Sequence, residues 1–281
     1  MAEYILQLQC ADTYGIIHAV ASGLLDCDAN IVEQAQFSDP DLVEFCLRTR
    51  FETHIENLED VKSALWKHVE RFEPRLHIRH TADRRRMVIM VSKFDHCLED
   101  LLYHYSIGDL EIEIPAIVSN HEACRGAAEA HNLPFIYLPI SPDTKSEQEA
   151  QLAELMANND ADYLILARYM QILSADFCNT HPGQIVNIHH SFLPGFVGAK
   201  PYHQAYQRGV KMIGATSHFV TADLDEGPII DQDIQRVGHS QTPEKLVSIG
   251  RDVERRVLTR TVSLLAEDRI FLVGNRTIIF A

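Results

Sequence analysis

The sequence lacks the features that would place it outside ordinary globular proteins. It has no apolar run of the roughly 18 residues that a membrane span needs. Acidic Glu3 stands where a secretory signal would carry a basic residue. The six cysteines form no CxxC pair, a pattern typical of reduced, buried thiols in the cytoplasm. We therefore expect a cytoplasmic protein with no membrane partner.

Basic residues are also scarce. The chain has 25 Lys and Arg against 40 Asp and Glu, a formal charge of −15 at pH 7. Such a surface repels phosphate backbones, so nucleic acid is not expected as a partner. A small anionic ligand is compatible with this net charge, because it responds to the charges of its own pocket. With 46% hydrophobic residues, the 281-residue chain has globular composition and is long enough for about two domains.

The common motifs for nucleotides and metals are missing as well. No GxGxxG and no GxxxxGK[ST] occurs, so the usual glycine-rich phosphate cradle is not expected. The 15 histidines include no HExxH and no Cys/His clamp. We therefore predict neither a metal nor a cofactor.

Residues 1–80 follow the order βαββαβ, which predicts a sheet with two helices on one face. The predicted strands are 4–10, 31–37, 42–51 and 75–78, and the predicted helices are 15–25 and 58–72. Residues 81–86 are polar and lack apolar periodicity, so they are the predicted linker.

The segment 87–281 alternates strands with helices and forms the predicted second domain. The predicted strands are 87–91, 112–118, 135–138, 163–166 and 185–188, and the helices between them are 95–105, 121–131 and 145–158. This alternation predicts an α/β fold with a doubly wound, mainly parallel sheet. A hairpin (212–220 and 229–237), a closing helix (243–265) and a strand (277–280) should follow. Ligands of such sheets bind beyond the carboxyl ends of the strands.

The densest polar stretch follows the predicted strand 185–188. Strand alternation puts Asn187 and His189 on one face and Ile188 in the core. An amide and an imidazole there can stabilise a developing oxyanion and move a proton. The alternative is that Asn187 caps a turn and His189 is a structural histidine.

Two further loops carry groups suited to a ligand. The loop 218–228 includes Asp225, and burial among apolar neighbours would raise the pKa of that carboxyl and suit it to proton transfer. The alternative is ordinary turn chemistry. The stretch 167–173 mixes aromatic, apolar and polar groups, as a wall for a flat heterocycle would, although packing at a helix start would use the same residues.

Several of these residues together resemble the formyltransferase family of folate enzymes. The resemblance is carried by 187–189, 191–194, His218 and Asp225. The stretches 92–98, 198–203 and 224–230 are similar to the members of that family that are hydrolases, and so is the domain order. The first domain, with its 10–16 stretch leading into a helix, resembles ACT regulatory domains.

This resemblance implies specific roles. The catalytic set corresponds to Asn187, His189 and Asp225. The folate-binding residues correspond to Arg168, Tyr169, Met170, Gln171, Ile172 and Leu173, and to His218, Phe219, Val220, Ala222 and Asp223. The acceptor-side loop corresponds to Ser92, Lys93 and His96. The positions to examine for an amino-acid effector are Asp12, Gly15, Asn30 and Ile31, and a purely structural dimerisation sheet is the alternative there.

The implied reaction is hydrolysis of 10-formyltetrahydrofolate to formate and tetrahydrofolate, in a homo-oligomer that is a dimer or a tetramer. Transfer to a sugar-phosphate amine would need an anion cradle, but the corresponding loop carries bulky Phe94 and acidic Asp95. A tRNA-directed enzyme would carry a basic extension, and none follows the closing helix. The alternatives are transfer to an unphosphorylated amine and a non-catalytic folate-binding regulator.

Overall fold

The structure, a computed structural model, describes residues 1–195 and 201–280. The chain divides into two compact units. The first contains Met1–Arg84 together with the segment that begins at Glu267, and the second is Arg85–Ala266. The expected extent of the second domain, 87–281, is therefore corrected at its end, because the chain returns to the first unit after Ala266.

The first unit contains a four-stranded antiparallel sheet and two helices. Its strands are β1 (Ala2–Ala11), β2 (Asn30–Asp39), β3 (Glu44–Thr53) and β4 (Arg75–His80), and its helices are α1 (Ile16–Asp26) and α2 (Leu58–Val69). The strands lie in the order β2-β3-β1-β4. The predicted βαββαβ order is thus confirmed, with a 3-10 turn, Glu70–Phe72, at the end of the predicted second helix.

One face of β1 forms the core of the first unit. Tyr4, Leu6 and Leu8 are fully buried and share a hydrophobic cluster with Val20 of α1 and Leu65 of α2. Burial of an aliphatic side chain of this size contributes about 1.5–3 kcal/mol. A register shift of one residue would turn all of them outward, so this face fixes the pairing of the sheet.

The chain beyond Ala266 forms a hairpin of β13 (Ile270–Val273) and β14 (Arg276–Ile279). The strand predicted at 277–280 corresponds to β14, whereas β13 was not predicted. A strand of four residues such as β13 gives little signal of period two in the sequence, so only the second strand of the hairpin was predicted.

The polar residues of β1 bind this C-terminal segment. Gln7 Nε2 donates to the carbonyl of Asp268 at 2.9 Å, and Gln9 Nε2 donates to the carbonyl of Leu272 at 2.9 Å. The carboxylate of Asp268 also pairs with Arg79 Nη2 at 2.7 Å. Residues that strand alternation would place in solvent are therefore used to hold a distant part of the chain.

The second unit contains the larger sheet. Its strands are β5 (Arg85–Val91), β6 (Ile112–Glu113), β7 (Ile117–Ser119), β8 (Phe135–Tyr137), β9 (Tyr163–Leu166), β10 (Ile185–His189), β11 (Met212–Phe219) and β12 (Ile229–Arg236). Its helices are α3 (His96–Ser106), α4 (Arg125–Ala130), α5 (Lys145–Asn158), α6 (Ala175–Thr180), α7 (Pro201–Arg208) and α8 (Pro243–Ala266). A 3-10 turn, Glu122–Cys124, precedes α4.

The strands of this sheet lie in the order β12-β11-β10-β9-β5-β7-β8, and β6 pairs with the start of β5. All pairs from β10 to β8 are parallel, while β11 and β12 are antiparallel additions. The predicted doubly wound, mainly parallel sheet with a terminal hairpin is confirmed. The chain reverses direction across the sheet between β5 and β9, and ligands bind at the carboxyl ends of strands near such a point.

Two local expectations are corrected, and two short helices are added. The single strand predicted at 112–118 is two strands, because Pro115 has no N–H to donate between them. The predicted linker 81–86 ends earlier, since Arg85 already belongs to β5 and pairs with Asp162 at 2.6 Å. The short helices α6 and α7 were not predicted.

All six cysteines are free and buried, as their dispersed spacing predicted. No helix within the described residues has the length and apolar character that crossing a bilayer requires.

Candidate active site

Two polar residues of β10 share one face of the strand near its carboxyl end. Asn187 and His189 flank buried Ile188, as strand alternation predicts. The antiparallel strand β11 places His218 directly opposite Asn187. The register of two neighbouring strands therefore fixes one amide and two imidazoles.

Asp225 reaches the same place from the loop between β11 and β12. Its Oδ2 lies 3.2 Å from His189 Nδ1, and its Oδ1 lies 3.7 Å from His218 Nε2. Its φ of 57° is left-handed, a conformation that Asp tolerates better than most residues. Gly227 closes the loop, since a Cβ there would lie 1.8 Å from the carbonyl oxygen of Phe219. The three residues expected to be catalytic are thus brought together.

His218 orients the amide of Asn187. Its Nδ1 lies 2.9 Å from the carbonyl oxygen of Phe219, which only accepts, so Nδ1 carries the proton. Its Nε2 then accepts from Asn187 Nδ2 at 3.2 Å. Burial lowers the pKa of His218 and favours this neutral form. One amide hydrogen of Asn187 is used in this way, and the second is left to donate to a ligand.

The carboxyl of Asp225 is ionised. The hydrogen bond from His189 is the largest influence on Asp225 and lowers the pKa of its carboxyl below the ordinary value, against the opposing effect of burial. The expected rise in this pKa is wrong, because residues distant in the sequence surround the carboxylate with histidines.

His189 keeps one ring nitrogen for a ligand. Nδ1 faces Asp225, while Nε2 is buried and has no hydrogen-bond partner among the described residues. A buried polar atom left in this state costs about 1–3 kcal/mol. Nε2 of His189 and the second amide hydrogen of Asn187 are therefore both available to a ligand.

The first predicted folate-binding stretch divides between core and surface. Tyr169 and Leu173 are buried in the core of the second unit, and the Tyr169 hydroxyl donates to Gln148 Oε1 at 3.0 Å. Their side chains therefore pack in the core, and the binding of folate by this stretch stays a prediction. The exposed members of the stretch are Met170, Gln171 and Ile172.

The second predicted folate-binding stretch divides in the same way. Phe219 is buried and Val220 is partly buried, whereas Ala222 and Asp223 are exposed. Phe219 thus packs inside the unit, and the accessible part of the stretch is the loop that also holds Asp225.

A cavity of about 370 Å³ opens at the carboxyl end of β8. It is lined by residues of 138–141 and by Gln148 and Gln151. Because Gln148 also holds the Tyr169 hydroxyl, the cavity adjoins the stretch 168–173.

The predicted acceptor-side loop connects β5 to α3. Ser92 is buried and Lys93 is exposed. His96 begins α3, and its Nε2 lies 2.8 Å from Glu254 Oε2. The loop thus contacts α8 through Glu254, a residue that the sequence did not indicate as functional.

The predicted effector positions are all exposed, but they do not form one cluster within the chain. Asp12 follows the end of β1 that pairs with Glu44, whereas Asn30 pairs with Glu52 at the other end of β3. Eight residues of strand separate these two ends by about 26 Å. Gly15, with φ of 92°, is near Asp12 in sequence, and Ile31 follows Asn30.

Comparison with known proteins places this site in a family. The model described as "Formyl transferase" matches residues 85–262. A formyltetrahydrofolate deformylase of Bacillus subtilis (strain 168) is 45% identical over 278 residues, covering 98% of this chain and 93% of the relative. The crystal structure of formyltetrahydrofolate deformylase from Burkholderia mallei is 44% identical, with a TM-score of 0.96 and all of both chains covered. The chain belongs to the formyltetrahydrofolate deformylase family.

The deformylase family shares the second unit with transferases. A glycinamide ribonucleotide transformylase from Symbiobacterium toebii is 29% identical, with a TM-score of 0.65, and covers 70% of this chain and 94% of its own. The stretch 198–203, which contributed to the resemblance, lies partly outside the described residues.

Sequence reasoning missed a second polar cluster, built around Glu254 of α8. This side chain is fully buried. Its Oε1 accepts from the Tyr202 hydroxyl at 2.6 Å, and its Oε2 lies 2.8 Å from His96 Nε2 and 3.4 Å from Arg168 Nε. We call Glu254, Tyr202, His96 and Arg168 the Glu254 cluster.

Two signals in the sequence point to this cluster. Glu254 lies on the apolar stripe of α8, next to Val253 and one helical turn from Val257, where a lone acidic residue is out of place. Gly250 precedes it by one turn, and a Cβ there would lie 2.1 Å from the ring of Tyr202. The glycine therefore makes room for the ring whose hydroxyl binds Glu254.

His96, Cys97 and Glu254 also bring three metal-ligating atoms within 4.8 Å of one another. Their chemistry does not suit a cation. Burial raises the pKa of the Cys97 thiol well above its ordinary value, so it stays protonated. The carboxylate already accepts two hydrogen bonds, and the guanidinium of Arg168 stands beside it. We assign these residues to an ion-pair cluster and not to a metal centre.

Proposed function

We propose that this chain hydrolyses 10-formyltetrahydrofolate to formate and tetrahydrofolate. The observation that carries this proposal is the convergence of Asn187, His189 and Asp225 in a chain of the deformylase family. Relatives of 41–45% identity that cover nearly the whole chain are named formyltetrahydrofolate deformylase, which supports the same reaction here.

In this proposal Asn187 and His189 stabilise the oxyanion. The free amide hydrogen of Asn187 and Nε2 of His189 donate to the formyl oxygen as the carbon becomes tetrahedral. Nδ1 of His189 faces the carboxylate of Asp225, which leaves Nε2 as the ring nitrogen that meets the formyl oxygen. One such donor typically accounts for about 10²–10³ in rate.

Asp225 orients the attacking water and takes one of its protons. The C–O bond forms as this proton moves to the carboxylate, and the C–N bond then breaks as the folate nitrogen receives the proton. The second proton of the water leaves with formic acid, which ionises to formate. Atoms and charge balance without a metal or another cofactor, and we assign none.

The folate ring binds, in this proposal, at the exposed members of the two predicted folate-binding stretches. Met170, Gln171 and Ile172 supply one side, and the 222–223 loop supplies the other. The cavity at the end of β8, whose lining residue Gln148 accepts from the Tyr169 hydroxyl, receives in this proposal the part of the folate beyond its ring.

Water is the acceptor because the loop after β5 does not suit a phosphorylated amine. Phe94 occupies this loop, and the Arg168 guanidinium lies 5.5 Å from the centre of its ring. Asp95 follows with a negative charge that opposes a phosphate. A glycine-rich cradle of backbone amides would need the space that these side chains fill.

Formate release from 10-formyltetrahydrofolate, measured with and without added amines, tests this function. We expect stoichiometric formate and tetrahydrofolate, with no formylated amine. Formyl transfer faster than formate release would instead identify a transferase. Folate binding without either product would identify a non-catalytic regulator.

For the first unit we propose assembly and effector binding, on its resemblance to ACT domains. Asn30 and Asp12 are too far apart to bind one amino acid within a chain. The edge strand β2 offers unpaired backbone groups to a second copy, and antiparallel pairing of two β2 strands would bring one chain's Asn30 toward its partner's Asp12 end. A homodimer, or a tetramer built from it, would then complete the site.

Calorimetric titration with glycine and with methionine tests the effector proposal. Saturable binding of one or two amino acids per dimer supports the proposal. Absence of heat with both amino acids favours a purely structural sheet.

The six free, buried cysteines support a cytoplasmic setting for the enzyme.

A further inference from the structure

Arg168 stands at the carboxyl end of β9, next to the reacting groups on β10. The last paired positions of these parallel strands are Leu166 and Asn187, so Arg168 and His189 each lie two residues beyond them. Arg168 has φ of 67°, a left-handed conformation that costs a non-glycine residue free energy. Its side chain is nevertheless 90% buried.

The guanidinium of Arg168 is only partly satisfied. Among the described residues its one carboxylate neighbour is Glu254, with Nε 3.4 Å from Oε2, which is long for a charge-assisted hydrogen bond. Both Nε and Nη1 are buried and have no hydrogen-bond partner within the described part of the chain. A guanidinium offers five donors, and a buried donor without an acceptor is destabilising.

Glu254 cannot satisfy these donors, because its oxygens are already used. Oε1 accepts from Tyr202 and Oε2 faces His96. The carboxylate therefore holds the arginine in place and neutralises part of its charge, while Nε and Nη1 keep N–H groups without an acceptor among the described residues.

The Glu254 cluster and the reacting groups meet at His190. The rings of His189 and His190 stack with centres 5.1 Å apart, and the centre of the Tyr202 ring lies 6.3 Å from that of His190. Arg168 follows the strand that pairs with the strand of His189. A small anion formed beside His189 therefore has Arg168 at the end of the neighbouring strand.

We propose that Arg168 binds the formate produced by hydrolysis, and that Glu254 is the positioning residue that holds it ready. This inference rests on the proposed function and deepens it. Formate is a planar carboxylate that exists only after the C–N bond has broken, and its two oxygens match two parallel N–H groups of a guanidinium. Arg168 is thereby separated from the folate-binding residues with which the resemblance grouped it.

The expected affinity is weak, since the affinity of a small ligand is limited by its number of atoms and formate has only three besides hydrogen. This bound corresponds to a dissociation constant of about a millimolar. The experiment therefore uses sodium formate at roughly 1–100 mM, a range that begins at this bound. Added chloride keeps the ionic strength constant.

Product inhibition of the full-length protein tests the proposal, with formate and tetrahydrofolate as separate inhibitors. In Arg168→Lys we expect the inhibition constant of formate to rise by at least about tenfold, because lysine keeps the charge but loses the fork. The constant for tetrahydrofolate should stay within twofold. Arg251→Lys is the matched control, since exposed Arg251 lies over the same Phe94 ring at 5.6 Å, and it should change neither constant.

Equal constants for formate in wild type and a folded Arg168→Lys variant would overturn the proposal. So would a parallel rise for both inhibitors, which would return Arg168 to the folate site. If Arg168→Lys does not fold, Glu254→Asp decides in its place. It keeps the charge but withdraws the carboxylate by one methylene, so formate inhibition should weaken several-fold while tetrahydrofolate inhibition does not.

Titration of the protein with [¹³C]formate, followed by line broadening, separates this inference from the proposed function. Broadening that Arg168→Lys abolishes would support the formate site even in a protein that released no formate from the folate. Turnover with broadening that survives the substitution would leave the hydrolase reaction intact and remove Arg168 from it.

Discussion

Asp225 and Glu254 are two carboxylates of the same unit, each beside a histidine and each with a lowered pKa, yet they are built in opposite ways. For Asp225 the largest influence is the hydrogen bond from His189, and burial is a smaller opposing effect. For Glu254 burial is the largest influence and acts to raise the pKa, but His96, Arg168 and Tyr202 together outweigh it.

The difference shows which carboxylate is free to react. Asp225 lies on a loop and keeps partial exposure, so water can reach it. Glu254 lies on a helix with no exposure and has both oxygens occupied. Ionisation alone therefore does not identify a catalytic group, and access to water distinguishes the two.

The largest effect should come from removing the charge of the accessible carboxylate. Asp225→Asn should lower the rate of formate release by about 10²–10⁴-fold, because proton transfer from water loses its acceptor. Asparagine tolerates the left-handed φ at this position, so folate binding should survive. Single-turnover formate release and folate titration measure the two effects.

Glu226→Gln, in the same loop and exposed, is the control for this variant and should retain its rate. Full turnover by Asp225→Asn would remove Asp225 from the mechanism and with it the contrast between the two carboxylates.

Removing the enclosed carboxylate should chiefly reduce stability. Glu254→Ala leaves Arg168 as a buried charge without its partner, and loss of one member of a buried ion pair costs about 3–5 kcal/mol. Urea unfolding followed by circular dichroism measures the loss, and Glu154→Ala, at an exposed position of α5, should change little. An unchanged unfolding free energy would show that Glu254 does not stabilise the cluster.

His190, between the two clusters, should make stability depend on pH. Burial, with the charges of Arg168 and His189, lowers the pKa of His190 to about 4. The unfolded chain binds a proton near pH 6.5 while the folded chain does not, so stability should fall as pH decreases from 6.5 to about 4. The shift corresponds to about 3 kcal/mol.

Urea unfolding at several pH values in this window, for wild type and His190→Gln, measures this contribution. The variant should lose less stability on acidification than wild type. The exposed His239→Gln control should follow the wild-type curve, and parallel curves for all three proteins would contradict the assignment.

The smallest expected effect is the loss of one hydrogen bond to the enclosed carboxylate. Tyr202→Phe should lower the unfolding free energy by about 1.5–3 kcal/mol, the range for hydrogen bonds to charged groups. Tyr206→Phe, at an exposed position of the same helix, should be neutral. A neutral Tyr202→Phe would mean that His96 and Arg168 suffice to stabilise Glu254.

The sequence predicts best the parts of this molecule that depend on local periodicity. The strand β10 shows this, since alternation alone places Asn187 and His189 on one face. Asp225 is different: its approach to His189 depends on a loop whose conformation no periodic pattern encodes, and only the family resemblance suggested it.

What the sequence did not indicate has the same physical origin. Tyr169, within the predicted wall 167–173, is buried, and its hydroxyl donates to Gln148 inside the unit. Glu254 is a fully buried acid whose partners come from three other segments, and pairing between distant segments leaves no local signature. The expectation for 87–281 failed likewise, because polar Gln7 and Gln9 gave no sign that a distant hairpin would cover them.

The return of the chain to its first unit affects how the protein is made. Roughly 180 residues separate Arg84 from Glu267, and a ribosome that adds about 5–20 residues per second needs roughly 10–35 s to synthesise them. During that time the nascent first unit displays Gln7, Gln9 and Arg79 without the hairpin that binds them. The unit that is synthesised first is thus completed last. A truncated messenger RNA would therefore yield a protein whose N-terminal unit lacks the hairpin that binds it.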